Sequence, residues 1–168
     1  MKIAFCVIVE GDEKLPQLKR LMKSVDGVFD SCHITANHAP YTETEKWCTE
    51  QGYDFSFLKW NDSFSEQRNF NFSRVPKDTD YICWADSDDV ILRPKLIPMV
   101  AENAKKNDID AVFFHYIYGA EFDGEPSVET FVREELGQSR ERLLRKGTIV
   151  WKKRLHESPV PLDGEKFI

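Results

Sequence analysis

The sequence predicts an α/β fold: a mostly parallel sheet with helices on both faces and a small antiparallel portion near the C-terminus. Three observations carry this. Residues 2–9 are a continuous apolar run of the kind a strand buried on both faces requires. Strand-like and helix-like segments then alternate as far as about residue 118. Beyond that point the alternation stops and shorter β-type segments take over. The 168 residues suit one domain, with a strand–helix half over about 1–118 and an irregular part over about 119–168.

The elements follow in order. After the first strand comes the acidic turn Gly11-Asp12-Glu13, and Leu15, Leu18, Leu21, Met22 and Val25 then recur at helical spacing until Gly27. Pro16 falls in the first turn of that helix, where its missing N–H costs little. A second strand is expected over about 32–36, ending in the polar turn Asn37-His38-Ala39-Pro40. Thr42, with Glu45 three residues on and Gly52 as a stop, predicts a capped helix over 42–51. A third strand over 54–58, a short helix over 63–73 and a fourth strand over 80–85 lead into Asp86-Ser87-Asp88-Asp89. A helix over 94–106 and an aromatic, β-branched strand over 111–118 complete the alternation. Short strands over 128–133, 142–146 and 148–151 are expected to build onto one edge.

Composition excludes several classes. Twelve Phe, five Tyr and four Trp are too many large apolar groups for a disordered chain. Asp and Glu outnumber Lys and Arg by 29 to 23, a net charge of -6, which does not match a nucleic-acid backbone. The one basic run, from Arg140 to Arg154, is local and reads as a solvated face that at most meets an anionic ligand. No integral membrane segment is present, and the acidic residues Glu10, Asp12 and Glu13 stand where a signal-peptide cleavage site would be. Cys6, Cys32, Cys48 and Cys83 form no C-x-x-C pair, so buried thiols in a reducing, cytoplasmic setting are expected.

In open α/β sheets, ligands bind beyond the carboxyl ends of the strands. Asp86 and Asp88 lie there, and alternate residues of an extended segment point the same way. They would present oxygen ligands to one hard divalent cation, Mg2+ or Mn2+, which in turn would hold a diphosphate. The plainer alternative is an Asp-rich turn that only solvates the end of a strand.

Four segments in order resemble family 2 glycosyltransferases, inverting enzymes of the GT-A fold. Asp80-Tyr81-Ile82-Cys83-Trp84-Ala85-Asp86-Ser87-Asp88-Asp89 is similar to the segment that carries the family's D-x-D motif. Residues 5–13 resemble its opening strand, and Trp60-Asn61-Asp62-Ser63-Phe64-Ser65-Glu66-Gln67-Arg68-Asn69-Phe70 its "W-x-D-D-F-S-x-A-R-N-F". Arg142-Leu143-Leu144-Arg145 with Leu155-His156-Glu157 resembles "R-L-F-R … V-H-E", although Lys153 and Arg154 stand where the family often has Gly.

The resemblance implies that Asp88 and Asp86 bind the metal, with Asp86 also reaching the nucleotide. It places Val9 and Glu10 at the nucleoside, Arg68 at its base or diphosphate, and Asn37 where the family has an Asp. His156 would be a further metal ligand and Glu157 the general base, with Asp89 as the alternative base. The function implied is metal-dependent, inverting transfer of a sugar from a nucleoside-diphosphate sugar, UDP favoured, to a hydroxyl of a glycan, protein or small molecule. The alternative is a truncated or degenerate domain that binds nucleotide sugar without efficient turnover, or that needs a partner chain. His33 and His115 read as core or edge residues of strands, Phe113 to Tyr118 as strand core rather than a sugar-stacking platform, and His38 as solvent-exposed rather than in contact with nucleotide.

Overall fold

A computed structural model of the chain describes residues 1–154 and 156–162. Its centre is β1 (Ile3–Val9), every residue of which is buried, as the unbroken apolar run requires. Parallel strands flank it: β2 (Ser31–Ala36) and then β3 (Asp54–Phe57) on one side, β4 (Tyr81–Asp86) on the other. Helices α1 (Leu15–Ser24), α2 (Thr42–Glu50), α3 (Phe64–Ser73) and α4 (Ile97–Lys106) make the crossovers. Two apolar clusters result, one containing Phe5, Leu18, Leu21 and Ile34, the other built on Trp84, Leu144 and Trp151. Cys6, Cys48 and Cys83 are buried and Cys32 half-buried, all four free, and burial pushes the thiols of Cys32, Cys48 and Cys83 up to about 12.

The last third departs from expectation. The segments expected at 128–133 and 142–146 are parts of one long strand, β6 (Phe131–Arg145), which pairs with an extended β5 (Ala111–Phe122) as an antiparallel ribbon. β6 does not join an outer edge. It enters between β4 and β5, giving the order β3-β2-β1-β4-β6-β5. Only the root of the ribbon belongs to the sheet, through Tyr81↔Arg145, Ile82↔Leu144 and Cys83↔Leu143. That is why Leu143 and Leu144 are buried while Val132 and Leu136, farther out, are exposed. β7 (Ile149–Lys152) and β8 (Ser158–Pro161) form a separate two-stranded sheet.

Helix capping also differs in one place. Thr42 does not cap α2; the Asp12 carboxylate does, accepting from the Thr44 N–H at 2.8 Å and its hydroxyl at 2.9 Å. Desolvation works to raise the Asp12 pKa, but four donors, the Thr42, Glu43 and Thr44 N–H groups and the Thr44 hydroxyl, outweigh it and lower it. Ser63 caps α3 by accepting from the Glu66 N–H.

Asp12 reaches α2 because Gly11 lets the loop after β1 press against the loop after β2. Gly11 has φ 107°, and a Cβ there would lie 2.5 Å from the carbonyl oxygens of both His38 and Pro40. Only glycine adopts that backbone without strain. Gly11→Ala should destabilise the fold by about 3 kcal/mol, seen as a lowered urea midpoint with an unchanged slope.

Candidate functional site

The site lies beyond the carboxyl ends of β1 and β4, in an open cleft of about 990 Å³. Segments far apart in sequence meet there: Val9 and Glu10 at the end of β1, Arg68 from α3, Asp86 and Asp88 at the end of β4, and His156 and Glu157 before β8. The structure therefore gathers seven of the predicted site residues around one space. The other two stand apart from its lining. Asn37 is buried, its backbone joined to Val9 and Trp60 and its side-chain oxygen 2.7 Å from His38 Nδ1. Asp89 lies beneath the floor.

Arg68 does not project into the cleft as a free cation. Its guanidinium is buried over the face of Trp84 at 3.8 Å, with Trp151 at 5.2 Å. Its Nε donates to Glu157 Oε1 at 2.8 Å and an Nη to Asp86 Oδ1 at 2.9 Å. One cation thus holds two carboxylates that are separated by 71 positions in the chain. Desolvation works to raise the Asp86 pKa, but Arg68 and then Arg142 outweigh it and keep this carboxyl below its ordinary value.

Arg142, read from sequence as part of a solvated face, is buried as well. It stacks 3.9 Å over Trp84 and 4.5 Å over Tyr116, and its Nη approaches Asp89 at 3.2 Å. Asp89 is committed on both oxygens: Oδ2 also accepts from the Asp86 N–H, and Oδ1 accepts from the Tyr116 hydroxyl at 2.9 Å. Desolvation raises the Asp89 pKa despite Arg142. Its place is to pin the turn that displays Asp88.

Asp88 has the opposite character. It is exposed at the cleft, and among the described residues its carboxylate makes no ion pair; only its backbone carbonyl is held, by Arg20 at 2.8 Å. Among the described residues, no three His, Cys, Asp or Glu side chains gather as a ready-made metal cage. The donor set nevertheless suits magnesium or manganese, which is commonly held by one or two carboxylates and completed by substrate phosphates.

The segment bearing His156 and Glu157 is placed by α3. Asn69 exchanges two 2.9 Å hydrogen bonds with the backbone of Trp151, acting as an extra strand residue beside β7. Arg154 donates to the carbonyls of Asn61 and Asp62. Lys153 and His156 adopt left-handed backbone, φ 73° and 52°, so Lys153 takes the conformation that a glycine before this motif would take freely. Leu155 lies outside the described residues.

Sequence reasoning missed the contribution of the ribbon. Phe113, Tyr116, Tyr118, Gln138 and Arg140 line the cleft. Phe113 and Tyr118 are not strand core but 49% and 54% exposed. Their alternation is hidden because the β5–β6 register shifts at Val112/Phe113 and at Ile117/Gly119.

Neither a protein-family model nor a curated protein sequence matches the chain. Solved structures do. S. aureus TarS residues 1–349 aligns with TM-score 0.52 and 18% identity over 75% of this chain, and its complex with UDP aligns with TM-score 0.52 and 17% identity. A 4-diphosphocytidyl-2C-methyl-D-erythritol synthase aligns with TM-score 0.60 and 13% identity, over 88% of this chain and 77% of that one. The fold is GT-A-like. This chain spans 38% of the TarS structure's length. Among the described residues, no helix is long and apolar enough to cross a membrane.

Removing the shared cation tests the arrangement of the floor. Arg68→Met should destabilise the protein by about 3 kcal/mol, because it leaves the Glu157 carboxylate without its partner and Asp86 with only the longer contact to Arg142 at 3.9 Å. Chemical denaturation of the two proteins at neutral pH measures the difference.

Proposed function

We propose that the chain is a glycosyltransferase that moves a sugar from a nucleoside-diphosphate sugar, UDP favoured, to an acceptor hydroxyl with inversion. The observation that carries this reading is the convergence of Asp86, Asp88, His156 and Glu157 on one open cleft at the carboxyl end of a parallel sheet. The four segments resembling family 2 in the right order support it, as does the likeness in fold to TarS in complex with UDP.

Asp88 and Asp86 would hold a divalent cation, with His156 as a further ligand. Bound there, such a cation would supply Lewis-acid neutralisation of charge on the departing diphosphate. Val9 and Glu10 would border the nucleoside, with Asn37 close behind. Glu157 would accept the proton of the acceptor hydroxyl. The acceptor oxygen then forms a bond to the anomeric carbon from the side opposite the nucleotide, and the bonding pair of the breaking C–O bond leaves with the diphosphate. Arg68 fixes Glu157 through Oε1; Oε2 has no hydrogen-bond partner among the described residues. Asp89 has no such spare oxygen, so Glu157 is the better base.

The alignment with the diphosphocytidyl synthase favours a second reading, transfer of a nucleotidyl group. The loop after β1 weighs against it: Glu10, Gly11, Asp12 and Glu13 form an acidic corner where that chemistry needs backbone N–H groups to cradle a triphosphate. Incubation with nucleotide sugars on one side, and with nucleoside triphosphates plus sugar phosphates on the other, separates the two by whether nucleoside diphosphate or pyrophosphate is released.

Calorimetric titration with UDP should show binding that strengthens with Mn2+, and Asp88→Ala should remove that strengthening. Binding that ignores both the metal and the substitution refutes the metal role. Glu157→Gln keeps an acceptor for the Arg68 N–H but loses the base. It should leave UDP affinity within about twofold and lower turnover of the donor by about 10²-fold or more.

A further inference from the structure

We infer that the middle of the β5–β6 ribbon, just beyond its root in the sheet, is a subsite for a pyranose ring, with Tyr118 and Phe113 as its stacking faces and Gln138 and Arg140 at its rim. This rests on the glycosyltransferase reading and deepens it, naming a saccharide as the acceptor class.

The argument begins with exposure in the wrong place for packing. Phe113 and Tyr118 leave about half of their surface in water, yet both face the cleft that Glu157 also lines. Exposed aromatic residues are common singly, but these stand together at the wall of a concave polar site. Tyr118 is also held still. Its hydroxyl accepts from Gln138 Nε2 at 3.1 Å and from Arg140 at 3.4 Å, across the ribbon. Its ring meets Tyr116 edge to face at 4.7 Å, and Tyr116 is itself tied to Asp89 at 2.9 Å. A ring fixed at its polar end and along one edge, with a face left in solvent, has already given up the rotamer freedom that binding would otherwise cost.

The chemistry of the surroundings selects the ligand. A pyranose offers a patch of axial C–H groups flanked by hydroxyls, so it needs a flat aromatic face with amide, guanidinium or carboxylate groups around it. Gln138, Arg140 and Glu141 supply that rim on the same wall. An alkyl chain would instead strand those groups without partners. The donor's base is accommodated elsewhere, beside Val9 and Glu10.

The test uses saturation-transfer NMR with methyl β-D-glucopyranoside and methyl β-D-galactopyranoside as probes, with and without excess UDP and Mn2+. Saturation should reach the ring protons of at least one glycoside and persist with UDP. It should fall roughly tenfold in Tyr118→Ala. Tyr118→Phe should retain most of the signal. Phe113→Ser gives a second, independent loss, and near-UV circular dichroism with thermal melting verifies that each variant is folded. No saturation of either probe, displacement by UDP, or an undiminished signal in folded Tyr118→Ala overturns the inference. UDP titration of the same wild-type protein separates the two readings. Glycoside binding without UDP binding removes the transferase and keeps the saccharide site, and the reverse removes only the subsite.

Discussion

The Arg68 guanidinium is the joint on which the site depends. It comes from α3, lies between a tryptophan of β4 and one of β7, and holds the carboxylates of Asp86 and Glu157 at 2.9 and 2.8 Å. Guanidinium suits this position because it is planar, weakly hydrated and always charged, and it can stack on indole while its edge donates in two directions. A lysine would offer a single strongly hydrated point charge and could not do both. Burying a cation is costly, and here the two carboxylates and two aromatic faces offset that cost. Without the joint, the chain end bearing Glu157 would lose its electrostatic tether to the sheet.

Arg142 repeats the arrangement on Trp84. Arg68 stacks on the indole at 3.8 Å and Arg142 at 3.9 Å, and Arg142 engages the Asp89 that pins the turn after β4. Asp86, Asp89 and Glu157 are thereby engaged from within the protein. Asp88 is left as the carboxylate offered outward, lifted to the rim by a turn whose other acids are committed. Under the proposed reading, a cation and then an anionic diphosphate would meet a floor whose charges are already compensated, with one carboxylate turned outward.

Much of this was legible in the sequence, for identifiable reasons. β1 and β4 are read correctly because both faces are buried, so their residues are apolar without interruption. The α3 start is visible in Ser63 and Glu66, whose capping geometry is local. The ribbon was not legible. β6 changes environment midway, from exposed residues such as Val132 and Leu136 to buried Leu143 and Leu144, and four register shifts against β5 break the alternation that would have marked its faces. The α2 cap was hidden for another reason: its oxygen comes from Asp12, 32 positions away from Thr44, and no local pattern records such a contact. Arg142 looked solvated because an arginine-rich run usually is, and only the stacking on Trp84 reverses that.

The Trp60-to-Phe70 segment bears on the choice between enzyme and binding domain. It reads as a site motif, yet most of its polar residues build structure. Ser63 caps α3, and Asn69 holds β7 through paired hydrogen bonds. Trp60 meets Phe64 edge to face at 4.8 Å, and Arg68 makes the central joint. A domain that bound a nucleotide sugar without turning it over would need all of these to keep its shape. Their presence therefore supports the fold and leaves the two readings equally served. What separates them is the pair of groups that do no structural work of this kind, the Asp88 carboxylate and Oε2 of Glu157. Neither has a protein partner among the described residues, and both border the same cleft. The Asp88 carboxylate gains nothing in stability from standing at the cleft wall without a counter-ion, so its place there favours the reading in which it receives a ligand. The catalytic reading rests on those two groups, with Arg68 holding Glu157 and Asp89 pinning the turn that displays Asp88.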